Sequence, residues 1–491
     1  MAPIKFDNSY SRMPDKFYSR VKSNSVNRPE LIRVNRQLAD ELGIDVEWLV
    51  SDEGIGMMAG CVMPEGAEPI ASVYAGHQFG HYVPRLGDGR AMLVGEIVTS
   101  GNSRFDIQLK GSGPTPYSRG GDGRSPLGPV LREYIVSEAM YYLGIPTTRA
   151  LGAILTGEKV MRESELPGAI LTRIARSHIR VGTHQYFAAY GDVESLVCLV
   201  DHVVDRHYPE VKESQEYVLE MLTSVIARQA DLIAKWQLVG FVHGVMNTDN
   251  MLLSGETVDY GPCAFIDGYN EDAVYSSIDR GGRYSYRNQP GICNWNLACL
   301  AQALLPIVNV NKDKAVEGLE KVLGTFPDLY SRSYLKLARA KFGLTTEEIE
   351  DAELIQKFFD ILGKEKDDFT LAFRRLSDIS MENDDAVNAG GLFQFSTRYY
   401  EWIARWRDRC GREDVTSQER QALMYGVNPI YVPRNHVVEK VIAEATDNVD
   451  YGPFNELVEV LKNPYLQRSG LEYYATPPTD DEIVSRTFCG T

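Results

Sequence analysis

The feature that most limits what this chain can fold into is a change of hydrophobic period near residue 190. Before it, short β-like segments alternate with glycine and proline. After it, apolar residues recur at three- and four-residue spacing over long stretches, as helices require. In the first part, HYVPRLGDGRAMLVGEIV (81–98) reads as a strand, a tight turn at Gly87-Asp88-Gly89 and a second strand. FDIQLK (105–110) sets Phe105, Ile107 and Leu109 against Asp106, Gln108 and Lys110, the alternation of a half-buried strand. GSGPTPYSRGGDGRSPLG (111–128) is too rich in Gly, Pro and Ser for regular structure. VLREYIVSEAMYYLG (130–144) then has helical spacing and ends at Gly144, before Pro146.

In the second part, DVESLVCLVDHVVDRHY and ESQEYVLEMLTSVIARQADLIAKWQ carry helical apolar stripes. A further helix is expected from Thr345, with Glu348 completing a capping box. Between these helices lies HGVMNTDNMLLSGETVDYGPCAFIDGY (243–269), a polar loop followed by short β-like pieces. The pattern predicts an α+β fold of protein-kinase-like, two-lobed layout. A β-rich N-lobe spans 1–185, a mainly helical C-lobe spans 186–480, and a tail over 481–491 carries Cys489. Such a likeness of layout speaks to fold before function.

The 491 residues carry a formal net charge of −17, with a pI near 5.1. A chain this acidic gains nothing from counterion release on a nucleic-acid backbone, so no nucleic-acid partner is expected. A local basic cluster can still hold the phosphates of a nucleotide. The seven cysteines are odd in number and scattered, without a Cys-x-x-Cys pair, which predicts free, mostly buried thiols in a reducing compartment. No apolar run reaches the length of a membrane span, and the N-terminal residues lack the apolar core of a signal peptide. The expectation is a cytoplasmic protein with no membrane partner.

Transfer chemistry on ATP needs positive donors for phosphate, a divalent cation and a group that orients the nucleophile. His243 is followed seven positions on by Asn250 and then by the apolar Met251-Leu252-Leu253, the spacing of a kinase catalytic loop. The usual catalytic Asp is absent, because Val245 holds its position; Asp249 stands beside Asn250 instead. A metal-binding carboxylate should follow on a short strand. Asp259 in Val258-Asp259-Tyr260-Gly261 and Asp267 in Ile266-Asp267-Gly268 both qualify, and spacing does not choose between them. Lys110, at a strand end before a glycine-rich loop, is the natural phosphate-binding lysine, with Glu133 and Glu138 as candidate partners. A Lys–Glu pair about 4 Å apart has roughly 4 kcal/mol of gross Coulomb energy at an effective dielectric near 20. Arg173 and Arg180 would share a face if LTRIARSHIR were helical, and Arg90 sits beside Gly87 and Gly89. His77 and His81 have metal-like spacing, but the glycines of GHQFGH argue against a helical zinc pair, and no Walker-type loop occurs.

Taken together, YAGHQFGHYVPRLGDGRA, QLKGSGPTPYSRGGDGRSPLGPVLREY, TRIARSHIRVGT, HGVMNTDNM and DYGP closely resemble the selenoprotein O family over essentially the whole chain. The resemblance implies protein adenylylation: AMP passes from ATP to Ser, Thr or Tyr hydroxyls of other proteins, with ATP flipped relative to ordinary kinases. It implies Mg²⁺ as cofactor, with Mn²⁺ as the other candidate. By motif it makes Asp249 the proton acceptor, Asn250 and Asp259 (rather than Asp267) the metal ligands, and Lys110 and Glu133 the strand-lysine pair. Gly87, Gly89, Arg90, Asp122, Gly123, Arg173 and Arg180 become the remaining nucleotide contacts. Some members link a C-terminal cysteine to one in the loop after DYGP; here Cys489 has the first place but Tyr275 stands at the second, with Cys263 the nearest cysteine. The competing readings are a kinase-type phosphotransferase and an inert nucleotide-binding module.

Overall fold

The computed structural model describes residues 4–22, 24–379 and 392–487. Its first part is an antiparallel sheet built from β1 (Tyr18–Arg20), β2 (Glu30–Val34), β3 (Ile70–Ser72), β6 (Ala91–Val98), β7 (Arg104–Lys110), β8 (Ser125–Pro126), β9 (Arg149–Met161) and β10 (Glu165–Ala175). The strand order is β1-β3-β6-β7-β10-β9-β2, with β8 paired to β10. Helices α1 (Arg36–Leu42), α2 (Val46–Leu49) and α3 (Asp52–Met58) cover one face, where Leu38, Met57 and Met58 meet Ile107, Leu109 and Ile154. Helix α4 (Leu127–Tyr142) packs on β9 and β10 and ends as expected before Gly144, at φ 76°.

Three local expectations are corrected. Strand β7 is not half-buried: Asp106, Gln108 and Lys110 are as enclosed as Ile107 and Leu109, because ion-pair and hydrogen-bond partners cover the polar face. The turn after His81 does not join two strands of one sheet. β5 (His81–Val83) pairs with β4 (Gly76–Gln78) in a separate hairpin, and Gly87 lets the chain pass Tyr117, whose ring would lie 2.5 Å from a Cβ placed there. No helix starts at Thr345. Its backbone N–H and hydroxyl donate to Glu413, itself pinned by Arg409 and Arg420, and the helix begins at Asp351.

The second part is mainly helical. α5 (Val181–Ala189), α6 (Val193–His207), α7 (Tyr217–Val239) and α8 (Gln289–Val308) share a core through residues such as Phe187, Val200, Ile226 and Leu300. Against the expectation of no span-length apolar run, the helical stretch Tyr286–Val308 has the length and mean hydropathy, 1.4, of a membrane span. Its Cys293, Leu297, Leu300 and Leu304 are nevertheless packed in the core. The two-stranded ribbon of β11 (Phe241–Val242) and β12 (Ala264–Phe265) frames the 243–263 loop. Helices Asn435–Asp447 and Gly452–Leu461 return to brace α4 through Val438, Leu457 and Tyr134.

Candidate active site

The polar face of β7, the inner face of α4, the end of β10 and the 243–263 loop converge on a cavity of about 780 Å³, within the range of a small-molecule site. Lys110 Nζ lies 2.6 Å from Glu133 Oε2 and 2.8 Å from Asp259 Oδ1. Arg173 donates through Nε to Glu133 Oε1 and through Nη2 to Asp259 Oδ1, both at 2.8 Å. Arg180 reaches Asp259 Oδ2 at 3.2 Å, donates to the Asp249 carbonyl, and lies 4.8 Å over the Tyr74 ring. Three cations and two carboxylates thus share one knot at the cavity wall. Arg173 and Arg180 are brought together, but not by a helix: Arg173 lies within β10, whose Leu171–Ala175 stretch pairs with β7, and Arg180 caps α5.

The knot sets the ionisation of its acids. Burial opposes ionisation of Asp259, but Lys110, Arg173 and Arg180 outweigh it and hold the carboxyl well below the usual range. The same balance, with Arg173 and Lys110 as the opposing charges, lowers Glu133. Asp249 goes the other way. Burial pushes its carboxyl up to about 6, offset only in part by Arg180 and the Gln78 amide. Asp259 sits at φ 64°, a left-handed conformation rare outside glycine and concentrated at functional sites.

The two metal-carboxylate candidates separate. Asp259 lines the cavity, whereas Asp267 is held by Arg434 at 2.7 Å in a buried cluster with Asp368. Asn250 also lines the cavity; its amide nitrogen donates to Val245 O at 3.0 Å, leaving the amide oxygen for a cation. Val245, where a kinase has its Asp, faces the same space. Glu138 is not a partner of Lys110: it is tied to Arg149. Gly87, Gly89, Arg90, Asp122 and Gly123 all line the cavity, with Asp122 engaged by Arg162 at 2.8 Å. His243 is a buried structural residue, stacked on Trp236 and bonded to Val258 O. His77 bonds Gln185 and His81 is exposed, and among the described residues no group of three or more His, Cys, Asp or Glu forms a metal cluster.

Sequence reasoning missed Gln78, Asn247 and Thr248, which connect the β4–β5 hairpin to the loop bearing Asp249. The histidines of GHQFGH suggest a metal, but it is Gln78 and Phe79 between them that line the cavity. The chain's end approaches as well. Thr487 donates from its N–H to Tyr275 O and from its hydroxyl to Pro262 O, each at 2.7 Å. Cys489 lies outside the described residues, and Cys263 is a buried free thiol.

Comparison with known proteins agrees across the chain. The family model for protein adenylyltransferase SelO matches residues 1–462. "Protein nucleotidyltransferase YdiU" of Rhodopseudomonas palustris strain BisB5 is 53% identical over 486 residues, covering 99% of both chains. The protein of the same name from Bradyrhizobium sp. strain BTAi1 is 55% identical with the same coverage. That from Rhizobium meliloti strain 1021 is 52% identical over 492 residues, covering 100% of each.

Proposed function

This chain belongs to the protein adenylyltransferase SelO family, and from that premise we propose that its cavity binds ATP and transfers AMP to hydroxyl groups of proteins. The enzyme is a protein nucleotidyltransferase, and the kinase-type and inert readings are not favoured. The observation that carries the mechanism is the contrast between two carboxylates facing one cavity. Asp259 is held ionised by three cations, while Asp249 is poised near the pKa of an effective base.

In this reading Lys110, Arg173 and Arg180, now paired with Glu133 and Asp259, turn part of their charge to the phosphates of ATP. Gly87, Gly89, Arg90, Asp122 and Gly123 shape the remainder of the nucleotide pocket. An acceptor Ser, Thr or Tyr hydroxyl attacks the α-phosphorus and its proton passes to Asp249. The bond from the α-phosphorus to the bridging oxygen breaks, and pyrophosphate leaves with the electron pair. Asn250 and Asp259 offer the oxygen donors that Mg²⁺ prefers, and a cation needing only one or two protein ligands fits this pair. When bound, Mg²⁺ neutralises phosphate charge. Functionally we assign the β-rich part, 1–185, and the helical part, 186–480, to the two lobes of a kinase-like fold, working in the cytoplasm.

The test is incubation of purified protein with ATP and Mg²⁺ and intact mass measurement of the enzyme and candidate acceptors. The reading requires the mass of one adenylate on Ser, Thr or Tyr, with pyrophosphate formed in equal amount. ATP binding without any adduct or pyrophosphate, across a broad protein extract, would favour the inert module.

A further inference from the structure

The hairpin β4–β5 is fastened to the loop bearing Asp249 by three consecutive residues. His77 N–H donates to Thr248 Oγ1 at 2.7 Å, Gln78 Nε2 to Asp249 Oδ2 at 3.2 Å, and Phe79 N–H to Asn247 Oδ1 at 3.1 Å. Two of these contacts are themselves braced. Thr248 Oγ1 donates to Gln185 Oε1 at 2.6 Å and Gln185 Nε2 lies 2.9 Å from His77 Nδ1, closing a ring of hydrogen bonds. Tyr284 OH donates to Asn247 Oδ1 at 2.7 Å. Asp249 is therefore approached by an element whose position is fixed independently of it.

The two oxygens of Asp249 are treated differently. Oδ1 is buried with no hydrogen-bond partner, and a Cβ on Gly76 would stand 2.4 Å from it, so the hairpin backbone seals that side. Oδ2 holds the Gln78 amide, and Asp249 and Gln78 both line the cavity. A carboxylate oxygen accepts more than one hydrogen bond. With Oδ1 buried and one direction at Oδ2 taken by Gln78, the acceptor capacity left at Oδ2 belongs to a residue that lines the cavity. We propose that Gln78 is a positioning residue that aims Oδ2 of Asp249 at the acceptor hydroxyl, with Gly76 closing the alternative oxygen. This deepens the proposed function and rests on Asp249 being the base.

Small misplacements of a catalytic group cost up to about 100-fold in rate. Gln78→Ala and the shape-preserving Gln78→Met should each lower kcat for AMP transfer about 10- to 100-fold. The KM and Kd for ATP should stay within about twofold. Because Gln78 acts through Asp249, adding Gln78→Met to Asp249→Ala should cause no further loss, a non-additivity that a purely structural role would not give. Circular dichroism and melting temperature confirm that each variant is folded. If Gln78→Met keeps kcat within about twofold while Asp249→Ala loses most activity, the positioning role is overturned and the base reading stands. A raised KM for ATP at unchanged kcat also overturns it, by making Gln78 a nucleotide contact. Near-normal turnover by Asp249→Ala removes the base reading itself.

Discussion

Asp267 is closed off by Arg434, whose Nη1 lies 2.7 Å from its Oδ1, while eight residues earlier Asp259 opens onto the cavity. The two Asp-containing turns therefore do different work. Asp259→Ala should abolish AMP transfer and metal-dependent ATP binding, measured by calorimetry with and without Mg²⁺. Asp267→Ala should leave both largely intact and show its effect in stability, since Arg434 keeps Asp368 but loses one carboxylate. Loss of activity in Asp267→Ala at full foldedness would reassign the metal carboxylate.

Glu133 neutralises Lys110 and Arg173 from a site that is 2% exposed. Removing one partner of a buried ion pair costs about 3–5 kcal/mol, an upper bound here because Lys110 and Arg173 keep Asp259. Glu133→Ala should show that loss in urea denaturation. ATP supplies phosphate charge to the same two cations, so saturating ATP should restore part of the stability. A variant whose melting point ATP does not move would show that the knot does not meet the nucleotide.

Much of this site is legible in the sequence, for reasons that are local. Lys110 falls out of a strand period before a glycine-rich loop, the helix after it offers Glu133 and Glu138 alike and only the family resemblance prefers Glu133, and Asn250 follows His243 at a recognisable spacing. What spacing does not convey is which charges meet after folding. Arg173 and Arg180 both line the cavity but do not share one helical face, because AILTRIA pairs as a strand and the ladder with β7 decides its period. Asp106 and Gln108 look solvent-facing, since the Arg206 and Arg173 that cover them lie far along the chain. Gln78 and Asp249 are 171 residues apart, and no local pattern links them.

Lys341 gives a test of the helical part that does not touch the site. Its ammonium lies 4.2 Å over the Phe373 ring and it is 5% exposed; burial lowers its pKa to about 7. The unfolded chain keeps that proton up to about pH 10.4. Between about 7 and 10 the unfolded state binds more protons, so this lysine makes stability rise with pH across that window. The gain has an upper bound of about 5 kcal/mol. Lys341→Met should be more stable than wild type near pH 7, and the advantage should shrink towards pH 10. Parallel stability curves for the two proteins would place the charged amine in water instead.

The last prediction concerns which phosphorus is attacked. A kinase sets its catalytic Asp two residues after the loop histidine, where it orients a nucleophile towards the γ-phosphorus. Val245 occupies that place here and lines the cavity with a side chain that has no carboxylate. The carboxylate able to take a proton is Asp249, beside Asn250, with the Gln78 amide on one oxygen and the Arg180 guanidinium on its backbone carbonyl. Arg180 also bonds Asp259, so the two acids proposed as proton acceptor and metal carboxylate are joined through one arginine. Under the proposed function, a nucleophile activated at Asp249 would be delivered close to whichever phosphate Asp259 and Asn250 engage, and the flipped nucleotide that the family resemblance implies would make that the α-phosphate. With ATP labelled at the α-phosphate, protein Ser, Thr or Tyr should become covalently labelled while pyrophosphate accumulates in step; with γ-labelled ATP, protein should stay unlabelled. Asp249→Ala should slow α-transfer by about 10²- to 10⁴-fold, the usual cost of removing a general base. Transfer of γ-label to protein without α-label would make this chain a kinase.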